Sequence, residues 1–351
     1  VQTQNKPILI MAGGTGGHVF PALACATALI KQGLKVEWLG TEHGLEAQIV
    51  PKVGINLNIL TIKGLRGKGL LTWFAAPFKI IKAVWQAIEI IDKLKPSVVL
   101  GMGGFASGPG GIAAKLLGIP LVIHEQNARA GLTNRILARF AKRTLVAFPD
   151  VFPNKINPIH TGNPLRFDIL SEIPPEPRPI HQPLHLLVVG GSLGAQALNS
   201  LVPESIEKMQ HPVRVWHQTG KNSTVTARPD SQDRVEPFIE NMAEAYRWAD
   251  VVVCRAGALT ISELAQMGVP AILVPFPHAV DDHQTANAQF LVKSGAAILI
   301  QQKDLNSMQL AEILDNFIEN PKQLQKMATA ARQCAKPEAT QQVIRHCLEV
   351  M

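Results

Sequence analysis

The sequence predicts an α/β fold of two Rossmann-like domains, each built on a doubly wound parallel sheet. Three observations predict it. Short apolar runs alternate with helical stretches; two of these runs break into a glycine turn that leads directly into a helix; and a proline-rich segment splits the alternation into two rounds. A length of 351 residues with 46% apolar content favours two cores over one.

In the first round the candidate strands are Ile8 to Ala12, Lys35 to Leu39, Val98 to Leu100, Leu121 to His124 and Thr144 to Ala147. Pro21 to Lys31 and Gly131 to Ala141 carry helical periodicity, with Pro21 at a favoured early helical position. Such alternation requires parallel strands joined by right-handed crossovers. From Glu172 to Pro179 the texture changes to a stiff proline-rich linker. The pattern then restarts with strand Leu186 to Val189, a helix from Gln196, strands Val213 to His217 and Val251 to Cys254, helix Thr260 to Met267 and strand Ala271 to Val274. A helix-rich tail from Leu305 to Met351 is interrupted at Pro321 and Pro337. The expected domains are residues 1–160 and 161–336, with a last helix, 337–351, crossing back to the first.

Glycine turns give the functional lead. Gly13 to His18 follows the first strand, Gly190 to Ala195 opens the second domain, and Gly101 to Gly111 lies between them. Such turns let backbone N–H groups approach a ligand, and a following helix N-terminus favours negative charge, so the chain is expected to hold phosphate in two halves facing a cleft. A nicotinamide fingerprint fails, because Val19 stands where its last glycine belongs and Glu37 lies inside a strand instead of at its end. His18, where the first turn enters its helix, is either a capping or packing histidine or a general base at the mouth of the cleft.

The segment Arg255 to Glu263 has two readings. Thr260 with Glu263 fits a capping box; the same geometry aims helix amides at a diphosphate and sets a carboxylate one turn in, where ribose hydroxyls would donate to it. Ser192 offers a further hydroxyl to phosphate. The cluster His278 to Gln284 matches no standard metal frame and suits polar substrate contacts better; no metal and no cofactor is expected.

Charge is uneven. Residues 1–170 hold 19 Lys and Arg against 8 Asp and Glu, whereas the rest hold 15 against 19. An anionic partner for the first half follows, either nucleic acid or an acidic membrane surface. Between Ile62 and Ile91, Lys63, Arg66, Lys68, Lys79 and Lys82 interleave with Trp73, Phe74, Phe78, Ile81 and Trp85. This stretch is a core helix or a surface that leans on lipid headgroups; nucleic acid is disfavoured by 5% aromatics and the lack of a binding module. No window has membrane-spanning length and character, the polar Val1 to Lys6 does not read as a secretory signal, and a cytosolic location is expected. Four scattered cysteines form no CxxC pair and are expected to be reduced thiols.

Taken together, Met11-Ala-Gly-Gly-Thr-Gly-Gly-His18, Gly101-Met-Gly-Gly-Phe105 with Ser107-Gly-Pro-Gly-Gly111, His124-Glu-Gln-Asn127, Gly162-Asn-Pro-Leu-Arg166, Gly190-Gly-Ser192 and Ala258-Leu-Thr-Ile-Ser-Glu263 span the chain in order. As a set they resemble the MurG family, peripheral membrane glycosyltransferases of bacterial cell-wall synthesis that convert lipid I to lipid II. The resemblance implies a GT-B fold with the donor, UDP-N-acetylglucosamine, in the C-terminal domain and the undecaprenyl-linked acceptor, lipid I, in the N-terminal one. It implies a UDP-sugar site of Thr15, Gly16, Gly17, Asn127, Arg166, Ser192, Ile239, Ala258, Leu259, Thr260, Ile261, Ser262, Glu263 and Gln284. There the Ile239 backbone would read uracil and Glu263 the ribose, while His283 competes with Gln284 for the sugar. His18 and Glu125 would stand on the acceptor side, with His18 as base and Glu125 as the other catalytic candidate. It further implies a metal-independent, inverting reaction at the cytoplasmic face of the inner membrane, docking on anionic lipid through Lys63 to Trp85, and partners in the cell-wall machinery. Two alternatives share these features: a UDP-N-acetylglucosamine 2-epimerase or other GT-B UDP-sugar enzyme, and a non-catalytic nucleotide-sugar-binding or scaffold protein.

Overall fold

Side-chain alternation along the first strand sets the layers. Ile8 and Ile10 enter one apolar core with Ala22, Ala26 and Leu29, whereas Leu9 and Met11 enter another with Ile91, Ala113 and Leu137. A strand buried on both faces needs helices on both faces, which only crossover-linked parallel strands supply. The computed structural model describes the chain apart from residues 1–5, 62–69, 173–175, 177, 192–194, 222 and 230, and apart from the side chains of 70–77 and 280. Ser192, Lys63, Arg66, Lys68 and half of the proline-rich linker therefore lie outside the described residues, as do the side chains of Trp73 and Phe74.

Two compact units result, Val1–Arg166 with Pro337–Met351, and Phe167–Lys336. The first contains β1 (Ile8–Met11), α1 (Gly16–Lys31), β2 (Val36–Thr41), α2 (Leu45–Ile49), β3 (Asn56–Leu60), α3 (Leu70–Leu94), β4 (Val98–Gly101), α4 (Ser107–Leu116), β5 (Leu121–Glu125), α5 (Leu132–Leu137), β6 (Arg143–Val146) and β7 (Ile159–His160). Its sheet has the order β3-β2-β1-β4-β5-β6-β7, with every pair parallel.

The second unit runs α6 (Phe167–Ser171), β8 (Leu184–Val189), α7 (Gln196–Lys208), β9 (Val213–Gln218), β10 (Arg234–Glu236), α8 (Met242–Trp248), β11 (Val251–Cys254), α9 (Ala258–Met267), β12 (Ala271–Leu273), α10 (His283–Lys293), β13 (Ala297–Leu299), α11 (Ser307–Glu319) and α12 (Pro321–Gln333). Its order is β10-β9-β8-β11-β12-β13, again all parallel. The last helix, α13 (Ala339–Leu348), places Val343, Ile344 and Cys347 in the core that α1 and β1 share.

Two local expectations are corrected. Helix α1 begins at Gly16, which puts Pro21 inside it instead of at its start. The glycines after Ser107 are helical and not part of an extended turn: they lie in α4, where a Cβ on Gly110 would collide with Met11 Sδ and one on Gly111 would lie 2.7 Å from Leu137 Cδ2. Glycine there serves close packing of helix on strand. Among the described residues, no helix is long and apolar enough to cross a membrane.

Candidate active site

In each sheet the crossovers leave in opposite directions from two adjacent strands, and the loops that part there frame a crevice at the carboxyl ends. In the first unit these strands are β1 and β4; in the second they are β8 and β11.

At the first switch point the loops interlock. Gly103 and Gly104 both have positive φ, +94° and +84°. A Cβ on Gly103 would lie 2.5 Å from His18 Cδ2, and one on Gly104 would collide with the Gly13 carbonyl. His18 is the third residue of α1, half-buried, with its ring laid on the second glycine turn. Ser107 Oγ ties the two loops by donating to the carbonyls of Met11 (3.0 Å) and Gly103 (2.7 Å). Thr15 is the N-cap of α1 and makes no side-chain cap, so Thr15, Gly16 and Gly17 present backbone at the helix entrance.

Glu46 braces this loop from behind, a role that sequence reasoning missed. Fully buried, it accepts from Gly14 N (2.9 Å), Thr41 N (2.9 Å) and Thr41 Oγ1 (2.7 Å). A Cβ on Gly13, Gly40 or Gly44 would strike its side chain. The Gly14 amide is therefore committed to an internal carboxylate instead of a ligand. The only signal was two glycines near an acidic residue, Gly40, Gly44 and Glu46, at the end of the second strand.

Glu125 ends β5 and is 3% exposed. Its Oε1 accepts from Asn127 N (3.1 Å) and Asn127 Nδ2 (3.4 Å), its Oε2 from Gly131 N (3.0 Å) and Asn134 Nδ2 (2.9 Å). Both oxygens of this carboxylate are thus engaged by the loop that follows β5. Gln126 Nε2 donates to the Met102 carbonyl (2.9 Å), joining this loop to the second glycine turn. Beneath it His124, fully buried, lies with Nε2 2.9 Å from the Gly162 carbonyl, and burial pulls its pKa down to about 4. Arg166 lies over the Phe20 ring of α1, with Cζ 5.8 Å from the centroid. Glu37 is spent on Asn56 and Asn58 at 3.2 Å each, in keeping with the failed nicotinamide fingerprint.

At the second switch point a cavity of about 790 Å3 is lined by Gly190, Gly191, Arg255, Gly257, Thr260 and Gln284, among others. The capping-box reading is corrected here. Helix α9 starts at Ala258 with Gly257 as N-cap, so Thr260 is already in the first turn and Glu263 instead accepts from Tyr246 Oη at 3.0 Å. With glycine as its N-cap, the first turn of α9 has no side-chain cap, and Gly257 and Thr260 of this entrance line the cavity. Ile261 turns its side chain fully into the core, and Ser262 Oγ donates to the Ala258 carbonyl at 3.0 Å. Of the site run, Thr260 is the member whose position lines the cavity.

Arg255 is a cation in this cavity that motif reading passed over, although its place directly after an apolar strand was visible. Its guanidinium is held by the carbonyls of Val274 (3.1 Å) and Pro275 (3.2 Å) and by Gln302 Oε1 (2.6 Å). Gln284 lines the cavity and accepts from Phe276 N at 2.9 Å; His278 lines it too. Ile239 is 2% exposed and stands outside that cavity, linked to it through Gln218.

Among the described residues, the group with ligand atoms close enough for a metal is His181, His185 and Asp250, not the loop His278 to Gln284. Its two rings stack at 4.0 Å with an interplanar angle of 13°, and the nitrogens near Asp250 and the Trp248 carbonyl are engaged there. Lone pairs of parallel stacked rings do not converge on one ion, so the group braces the entry to β8.

Two doubly wound parallel-sheet units, each with glycine loops at its switch point, define the GT-B class of glycosyltransferases. Residues 8–146 match the glycosyltransferase family 28 N-terminal domain and residues 185–343 its C-terminal domain. The chain belongs to glycosyltransferase family 28, in its MurG branch. It is similar to the UDP-N-acetylglucosamine--N-acetylmuramyl-(pentapeptide) pyrophosphoryl-undecaprenol N-acetylglucosamine transferases of Alkalilimnicola ehrlichii (52% identical, covering 98% of this chain and 99% of the relative) and Shewanella piezotolerans (50%, covering 99% and 98%). The crystal structure of Acinetobacter baumannii MurG superposes with a TM-score of 0.84 at 44% identity, covering 98% of this chain and 99% of that one. A putative UDP-N-acetylglucosamine 2-epimerase from Listeria monocytogenes, 16% identical over 96% of this chain and 95% of its own with a TM-score of 0.69, shares the fold alone.

Proposed function

We propose that this enzyme transfers N-acetylglucosamine from UDP-N-acetylglucosamine to the 4-hydroxyl of undecaprenyl-diphospho-N-acetylmuramoyl-pentapeptide, with inversion. The observation that carries the donor half is the second-unit cavity. Its volume of about 790 Å3 suits a nucleotide sugar, and it brings together a glycine turn, a helix N-terminus capped by glycine and the Arg255 guanidinium. These are the groups that hold a diphosphate as it takes up negative charge on leaving. The nearly full-length relatives supply the acceptor.

His18 takes the proton of the acceptor hydroxyl as its oxygen attacks the anomeric carbon; the bond from that carbon to UDP breaks, and UDP departs with its charge on the amides and Arg255. Glu125 holds Asn127 and the loop after β5. Glu263 accepts from ribose, Gln284 contacts the sugar, and Ser192 joins the phosphate contacts. The basic first half docks on the anionic cytoplasmic face of the membrane, where a lipid-linked acceptor resides.

The experiment is incubation with radiolabelled UDP-N-acetylglucosamine and a lipid I analogue in excess chelator. A labelled disaccharide product is expected. UDP-sugar consumed without the acceptor would replace this reading with the epimerase, and activity that needs an added divalent ion would overturn metal independence.

A further inference from the structure

Gly14 is held at both of its backbone groups. Its N–H donates to Glu46 Oε2 at 2.9 Å, and its carbonyl accepts from Leu45 N at 3.4 Å. The other oxygen of Glu46 accepts from the N–H and hydroxyl of Thr41, the last residue of β2, so one buried side chain fastens the first glycine turn to a strand of the sheet. A buried carboxylate is a costly way to fill space, since an apolar side chain does so without losing hydration. What the carboxylate does, and an apolar group cannot, is fix the backbone N–H of a residue at φ +91°.

From Gly14 the constraint reaches His18 by two routes. Thr15, the next residue, is the N-cap of α1, and its carbonyl accepts from His18 N at 3.1 Å and Val19 N at 3.2 Å. Gly13, for its part, lies against the Glu46 carboxylate on one side and Gly104 on the other, and the neighbouring Gly103 carries the His18 ring. We infer that Glu46 is a positioning residue for the transfer reaction: by holding Gly14 it fixes both the helix entrance that bears His18 and the backbone shelf beneath the imidazole. This rests on the reading of His18 as the base. A base must stand about 3 Å from the proton it takes, so a loosened turn costs turnover. Donor binding, served by the cavity of the second unit, is spared.

The test compares kcat, the KM for UDP-N-acetylglucosamine and thermal melts for wild type, Glu46→Gln, His18→Ala and the double variant. The single oxygen of a glutamine stays with the two Thr41 donors, which sets its amide N–H against the Gly14 N–H and breaks that link alone. Glu46→Gln should lower kcat about 10- to 100-fold with the donor KM near wild type. In the His18→Ala background the same substitution should cost little more, because both changes disable one group. Thr41→Val removes a hydrogen bond from the same carboxylate without touching Gly14; it should lower the melting temperature and retain most of the turnover. Glu46→Asp keeps the charge, shortens the reach and should also lose turnover, and it carries the test if the glutamine variant does not fold. Wild-type kcat in a folded Glu46 variant, an equal loss in Thr41→Val, or losses that multiply in full in the double variant would overturn this inference and leave His18 as base. An unaltered kcat in His18→Ala would instead overturn the reading of His18 itself.

Discussion

At the scale of single residues, His18 and Glu125 differ in their surroundings although both sit at strand or loop ends of one sheet. The ring of His18 rests on Gly103, whereas both oxygens of Glu125 are engaged by their own loop. His18→Ala should lower kcat by at least about 100-fold, the low end for general-base removal, and leave the KM for UDP-N-acetylglucosamine nearly unchanged. An unaltered kcat would remove His18 from the proton transfer. His124, one position before Glu125, makes stability acid-sensitive. Burial lowers its pKa from 6.5 to about 4, so between those values the unfolded chain binds the proton and the folded chain does not. Its contribution is whole above pH 6.5 and is lost as pH falls to 4, about 3 kcal/mol in all. Urea midpoints measured from pH 7 down to pH 4.5 should fall less steeply for His124→Asn than for wild type; equal slopes would contradict a buried neutral imidazole.

Helix α3 shows at the scale of an element why one segment carried two readings. Ala83, Ala87 and Ile91 are buried at helical spacing, and on the other side Phe78 is 76%, Ile81 55% and Trp85 63% exposed beside Lys79 and Lys82. One face serves the core and the other is an apolar strip with cationic edges, the composition of a helix that lies in a lipid interface. Glu at Phe78, Ile81 and Trp85 together should abolish co-sedimentation with anionic vesicles at low salt while UDP binding persists. Undiminished sedimentation would place the membrane contact elsewhere. The same scale explains what was legible beforehand. β1, β4, β8 and β11 are fully buried apolar runs and stood out in the sequence. The four strands that did not, β3, β7, β10 and β13, are the edges of the two sheets. An edge strand is short and half-solvated, so Asn56-Leu-Asn-Ile-Leu60 or Arg234-Val-Glu236 has no apolar run to announce it. The candidate site divides similarly: the glycine turns were visible as sequence, but Glu46, Gln218 and Arg255 act through partners 20 or more residues away in most cases, and no local pattern encodes that.

At the scale of the whole molecule, the first unit is made from two pieces of chain, and the second lies between them in sequence. Val343, Ile344 and Cys347 fill a core that they share with Cys25, Leu29 and Trp38 from the first 40 residues and with Val98, Leu100, Val122 and Leu145 further along. Removing residues 337–351 should therefore lower the melting temperature of the first unit while UDP still protects the second, seen as one shifted and one ligand-responsive transition by calorimetry. A single transition that moves as one would show that the units unfold together.

That arrangement has a consequence for synthesis. A ribosome delivers the whole second unit while the first unit still lacks a wall, because α13 is translated after all of it. For that interval the incomplete unit exposes the apolar surface that α13 later covers, so losing that one helix would leave a core open that most of the unit has already built.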